Sequence, residues 1–204
     1  FMQISTDEVY GDLNNQKTSF KENSVIKPSS PYSASKASAD HLVSSYFRTY
    51  NLPSIITRCS NNYGPYQASE KLIPKVILNA LNNRRIPVYN KGKEIRDWIH
   101  VSDHTDAIIK LIKKGTPGNV YNIGSKNTIS NIELIKKILF LLDNKNHKSL
   151  LKLIKFVKDR PGHDFKYSIN NSKLNKKIKW KPKIKFEKGI KETIDWYINK
   201  NNTN

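Results

Sequence analysis

Short β-branched or apolar runs alternate with segments of helical period along nearly all of this 204-residue chain. That alternation constrains the fold most, because strands separated by helices return parallel and bury both faces of one sheet. The class is therefore α/β with a largely parallel sheet. FMQIS (1–5) reads as a buried strand that stops at Thr6. PSIITRC (53–59), PVY (87–89), IRDWIHV (95–101), VYNIG (120–124) and LLKLIKFV (150–157) read as further strands. Apolar spacing predicts helices over 32–50, 71–82, 102–114, 131–142 (capped by Ser130) and 186–199. Residues 12–31, with Pro28 and Pro31, and the turn-rich 60–67 are expected as loops. A buried strand at residue 1 needs neighbours on both sides, so further strands are expected ahead of it.

Composition narrows the function classes. The formal net charge is +19, and Lys173–Lys185 alternates lysines with Ile178, Trp180 and Ile184. A basic stripe with an interleaved aromatic is one route to nucleic-acid binding. No nucleic-acid motif accompanies it, and lysine greatly outnumbers arginine, so a solvated lysine-rich face is expected and no nucleic-acid partner. No apolar run approaches the roughly 18–20 residues that span a bilayer, and Phe1-Met2-Gln3 lacks signal-peptide order. The single cysteine, Cys59, excludes an internal disulfide framework and fits a reducing compartment. A cytoplasmic protein without membrane contact is expected. The five histidines show no ligand spacing, so no metal site is expected.

Chemistry concentrates in two places. Thr6, Asp7 and Glu8 follow the first strand, and ligands gather at the carboxyl ends of strands in open α/β sheets. Alone, such a pair usually dresses a turn. Tyr32 and Lys36 stand four apart at the start of a helix and share one face. An ammonium beside a phenol lowers the phenol pKa from about 10 and makes it usable as a base. Alone, that spacing is an ordinary surface pair.

Together they resemble the extended short-chain dehydrogenase/reductase family. Within it, STDEVYGDL, SPYSASKASADHL, SNNYGPYQ, EKLIP, IRDW, YNIG and DRPGHD are similar to the dTDP-glucose 4,6-dehydratases, in family order from Ser5 to Asp164. WKP, FEKGI and TIDWY extend the match to about residue 197. The resemblance implies a Rossmann-like parallel sheet, of which 1–60 is the C-terminal remnant. A smaller α/β substrate lobe follows over 61–204, with about 93–124 folding back on the first part. It also implies NAD-dependent oxidation at the sugar C4, elimination of water across C5–C6 and reduction at C6, in deoxysugar biosynthesis.

In that scheme Tyr32 is the C4 base with Thr6 beside it, Lys36 holds the nicotinamide ribose, Glu8 is the C5 base and Asp7 the C6 acid. Asn61 contacts substrate and Asn62 cofactor. Lys71, Leu72, Pro87, Tyr89, Arg96, Asn131 and the segment from Asp159 through Arg160 to His163 line the dTDP-glucose site. Arg96 and Arg160 suit a pyrophosphate. Family members also imply a homodimer through the helices at 32–50 and 71–82.

The sequence departs from the family in one respect. Its eight glycines contain no G-x-x-G-x-x-G arrangement to seat a pyrophosphate. A fragment or a natural truncation is expected, binding NAD poorly and inactive alone. The open alternatives are the same chemistry on UDP-glucose and a non-catalytic nucleotide-sugar binder.

Overall fold

The computed structural model describes residues 1–14 and 16–202. Its first sheet has strand order β1 (Met2–Thr6), β2 (Ile55–Cys59), β6 (Val120–Ile123), all parallel. Thr6 pairs with Cys59, and Cys59 with Ile123, so the three strands finish at one level. The short strand β3 (Asn61–Tyr63) continues from β2 and pairs in parallel with β5 (Ile95–His100). β5 also pairs with β7 (Thr128–Ser130), antiparallel. A third, two-stranded unit joins β4 (Ile86–Tyr89) to β8 (Ile154–Val157).

Helix α1 (Pro31–Tyr50) starts where the sequence prescribes. Ser30 and Ser33 form a reciprocal capping box, Pro31 occupies the first turn, and Asn51 closes the helix in the left-handed region at φ 53°. The helices α2 (Leu72–Leu81), α4 (Asn131–Leu142) and α7 (Phe186–Asn202) share one core. Ile73, Ile77, Leu134, Ile138, Ile190 and Ile194 meet there, and none is more than 2% exposed. A second core lies on the first sheet, where Leu111 of α3 (Val101–Lys114) packs with Ile99, Ile123 and Trp180. Among the described residues no helix is long and apolar enough to cross a membrane.

Three stretches differ from the sequence expectation. The loop expected at 60–67 contains β3; its ladder to Trp98–His100 is a backbone matter that polar Asn61 and Asn62 conceal. Residues 150–157 are not one strand: α5 (His147–Leu151) ends inside the run, and only Ile154–Val157 pairs, at an edge. The lysine-rich tail carries α6 (Ser172–Ile178), which inserts Leu174 into the second core, lays Lys173 over the Tyr121 ring and keeps Lys176 and Lys177 outward. Trp180 follows it at 1% exposure. Burial of these two residues makes a folded amphipathic segment of what reads as a charge run.

Candidate active site

The site begins with a cap. Beyond β1 the chain turns into a single 3₁₀ turn, Asp7–Tyr10, and the Thr6 hydroxyl accepts the Glu8 N–H at 3.2 Å. Gly11 ends it at φ 79°, where a Cβ would stand 2.2 Å from the Lys27 carbonyl oxygen. This turn aims the two carboxyls at different surroundings. Asp7 is 2% exposed; its Oδ1 meets the Thr6 hydroxyl at 3.4 Å and its Oδ2 has no partner. Burial first, then the nearby Glu8 and Asp97 charges, holds Asp7 protonated well above the ordinary carboxylate range. Glu8 is also raised by burial, but Arg96, Arg160 and Lys71 pull it back.

Because burial raises the Asp7 pKa in the folded state, its proton stabilises the fold below about pH 4, and that contribution is lost as pH rises toward its raised folded value. Asp7→Asn removes the penalty. At pH 7.5 it is expected to raise the melting temperature of this chain by about 2–4 °C, the equivalent of about 1 kcal/mol at this size. At pH 4 it should change little. A variant that melts no higher than the parent at pH 7.5 refutes the protonated Asp7.

Across the sheet end, α1 presents Tyr32 and Lys36 to the same cavity of about 410 Å³, which Thr6, Asp7, Glu8, Asn61, Asn62, Lys71 and Leu72 also line. The expected phenol–ammonium pair needs correction. Lys36 Nζ donates to the Ile4 carbonyl, and the Tyr32 phenol is raised by burial and by the Glu8, Cys59 and Asp7 charges. The helical spacing gives a shared face; it does not direct the ammonium to the phenol. Sequence reading also passed over Ser5, Cys59, Ser60, Gln67, Trp98 and His104 on this wall. Burial pushes the Cys59 thiol up to about 12 and the His104 imidazole down to about 4, so both are neutral here.

A second cavity, about 230 Å³, shares Glu8, Asn61, Leu72 and Trp98 with the first. Pro87, Tyr89, Arg96, Asn131, Arg160 and His163 line it. Of the residues singled out in the sequence, Asp159 lines neither space and reaches the second through His163; the named catalytic and binding side chains border one of the two. Arg96 is braced rather than free: its guanidinium donates to the carbonyls of Ile95 (2.9 Å), Phe165 (3.1 Å) and Asp164 (2.7 Å) and lies 4.3 Å from the Tyr167 ring centre. His163 is not a solvated loop histidine, since its side chain is 7% exposed and Nδ1 lies 2.7 Å from Asp159 Oδ1. His163, Asp159 and Glu94 bring one nitrogen and two oxygens within 4.8 Å of one another, a grouping that sequence spacing conceals.

A strand-end Thr-Asp-Glu facing Tyr-x-x-x-Lys over a parallel sheet is the arrangement of the extended short-chain dehydrogenase/reductase class. Its family model is described as GDP-mannose 4,6 dehydratase and matches residues 1–193; the chain belongs to that family. It is 50% identical over 208 residues to a dTDP-glucose 4,6-dehydratase of Shigella flexneri, covering 97% of this chain and 58% of that protein. A dTDP-glucose 4,6-dehydratase of Neisseria meningitidis is 48% identical over 204 residues, with 97% and 58% covered. Among solved structures, the Bacillus anthracis dTDP-glucose 4,6-dehydratase in complex with NAD matches at TM-score 0.91 and 46% identity, covering 98% of this chain and 62% of that one. DesIV of Streptomyces venezuelae, another dTDP-glucose 4,6-dehydratase, matches at 0.93 and 38%, covering 99% and 61%. The chain spans about three fifths of the length of these relatives.

Proposed function

We propose that this chain carries the acid–base and substrate-binding machinery of a dTDP-glucose 4,6-dehydratase. The observation behind this is the different setting of two adjacent carboxyls: Asp7 is sealed and its pKa is raised well above the ordinary carboxylate range by burial, while Glu8, also raised by burial, is pulled back by Arg96, Arg160 and Lys71. Elimination needs one group to give a proton and a neighbour to take one, and environments that push two pKa values apart assign the roles. Tyr32 takes the C4 hydroxyl proton with Thr6 alongside. NAD, when bound, supplies the hydride acceptor for C4 and the hydride donor for C6. Glu8 then removes the C5 proton acidified by the C4 ketone, and Asp7 protonates the C6 hydroxyl, which leaves as water. The product is the 4-dehydro-6-deoxy sugar.

The Tyr32 end of the cavity suits a nicotinamide ribose and carboxamide. Ser5 Oγ, Ser60 Oγ, Asn62 Oδ1 and His104 Nε2 are buried around it without partners. Lys36 and Asn62 are the residues that would hold that end. The diphosphate falls to Arg96, Arg160 and Lys71, and the rest of the nucleotide to Leu72, Pro87, Tyr89, Asn131 and His163. On this reading residues 1–60 belong to the cofactor domain and 61–204 mainly to the substrate lobe, with β6 returned to the first sheet. Leu42, Tyr46 and Tyr50, exposed along α1, support a homodimer through that helix. The apolar face of α2, by contrast, is used inside the chain. The single cysteine supports a cytoplasmic setting.

Extended to the full length of its relatives and loaded with NAD, the protein offered equal dTDP-glucose and UDP-glucose is expected to form mainly the dehydrated dTDP sugar, read by mass spectrometry as loss of water. Preferential dehydration of UDP-glucose would reassign the base, and dehydration of neither would overturn the function.

A further inference from the structure

Behind the wall of the second cavity lies a carboxylate that the proposed chemistry leaves unused. Glu94, just before β5, is 1% exposed. Its Oε2 accepts from Asn131 Nδ2 at 3.2 Å, and its backbone carbonyl accepts from the Asn131 N–H at 2.9 Å. Its Oε1 has no hydrogen bond and stands 3.9 Å from His163 Nδ1. A buried carboxylate with so few partners is costly, and a smaller neutral residue would hold the start of α4 at less expense. What the carboxylate does for its neighbours is therefore the relevant question.

A carboxylate only accepts, so Asn131 must turn Nδ2 toward Glu94 and keep Oδ1 on the other side of its amide. Asn131 lines the cavity, and Oδ1 is buried without a partner. Asp159 acts on His163 in a similar way: with Oδ1 at 2.7 Å from Nδ1, it accepts from that nitrogen and fixes which edge of the ring faces the cavity. Two hidden or half-hidden acids thus orient two residues on one wall.

We propose that Glu94 is a positioning residue for nucleotide selection. It locks Asn131 as an acceptor which, together with His163, selects a hydrogen-bond donor of a pyrimidine deoxynucleoside rather than a phosphate oxygen. Such a ligand has two donors to offer, the sugar 3′-hydroxyl and the ring N3–H. The inference rests on reading this cavity as the nucleotide-sugar site.

Calorimetric titration of this chain with thymidine diphosphate, its 3′-deoxy analogue and its N3-methyl analogue tests it and separates the two donors. The parent nucleotide is expected to bind about tenfold or more tightly than at least one analogue, as loss of one buried hydrogen bond implies. In Glu94→Leu, which removes the acceptor and leaves the Asn131 amide free to turn, the parent should weaken by about tenfold while the affected analogue does not change, so the discrimination collapses. General loosening of the fold would weaken all three ligands alike, and that outcome overturns the inference. Equal binding of all three by the unaltered chain also overturns it, while leaving the cavity a nucleotide site. Binding of none removes the cavity reading and the inference with it. Asn131→Ala keeps Glu94 in place and must give the same collapse, which holds the test open if Glu94→Leu does not fold.

Discussion

In the NAD-loaded protein extended to the full length of its relatives, Asp7→Asn is expected to slow the loss of water from dTDP-glucose on the order of 10²–10⁴-fold, the usual cost of one general acid. Oxidation at C4 should survive, because Tyr32 and Lys36 sit on α1 and are untouched by the change. Reduced cofactor is then expected to accumulate in rapid-mixing absorbance, with the 6-deoxy product lagging. Asn matches Asp in shape, and Asp7 is 2% exposed, so the defect reports the missing proton rather than a collapsed pocket. Glu8→Gln should block one step earlier, at C5, and show the same accumulated reduced cofactor with solvent deuterium no longer entering C5. Full dehydration by Asp7→Asn would falsify the role given to Asp7.

The residues proposed to carry this chemistry are legible in the sequence because their types and spacings are local. Thr6, Asp7 and Glu8 end a short apolar run, and Tyr32 and Lys36 open a helix whose Ser30 cap is also written in the sequence. The parts that were missed are held by distant contacts. β3 exists because Asn61–Tyr63 finds Trp98–His100, and α6 because Leu174 finds the sheet beneath it. Glu94 matters through Asn131 and His163, neither near it in the chain. The Lys36 contact with Ile4 shows the converse failure: a correct spacing with the partner misjudged, since a backbone carbonyl has no signature in a pattern of side chains.

The largest stability effect is expected from a pair that no motif announces. Arg58 of β2 and Asp40 of α1 meet at 2.8 Å with side chains 4% and 1% exposed. Arg58 Nη1 donates to the Tyr10 hydroxyl at 3.0 Å, and that hydroxyl donates to Asn122 Oδ1 of β6 at 2.8 Å. One buried network therefore ties the helix of Tyr32 and Lys36 to the turn of Asp7 and Glu8 and to two strands. Asp40→Ala leaves the guanidinium buried without its counter-charge, which costs about 3–5 kcal/mol. At about 2–4 °C per kcal/mol for a chain of this size, melting should fall by on the order of 10 °C. Asp40→Asn keeps an acceptor and should lose less. Replacing both partners by apolar residues, Asp40→Leu with Arg58→Met, removes the desolvation cost and should recover much of the loss in urea unfolding. If Asp40→Ala alone costs under about 1 kcal/mol, solvent reaches Arg58 and the network does not fasten α1 to the sheet. If the double variant is no better than the single one, packing around Tyr10 rather than the charge pair holds the catalytic helix in place.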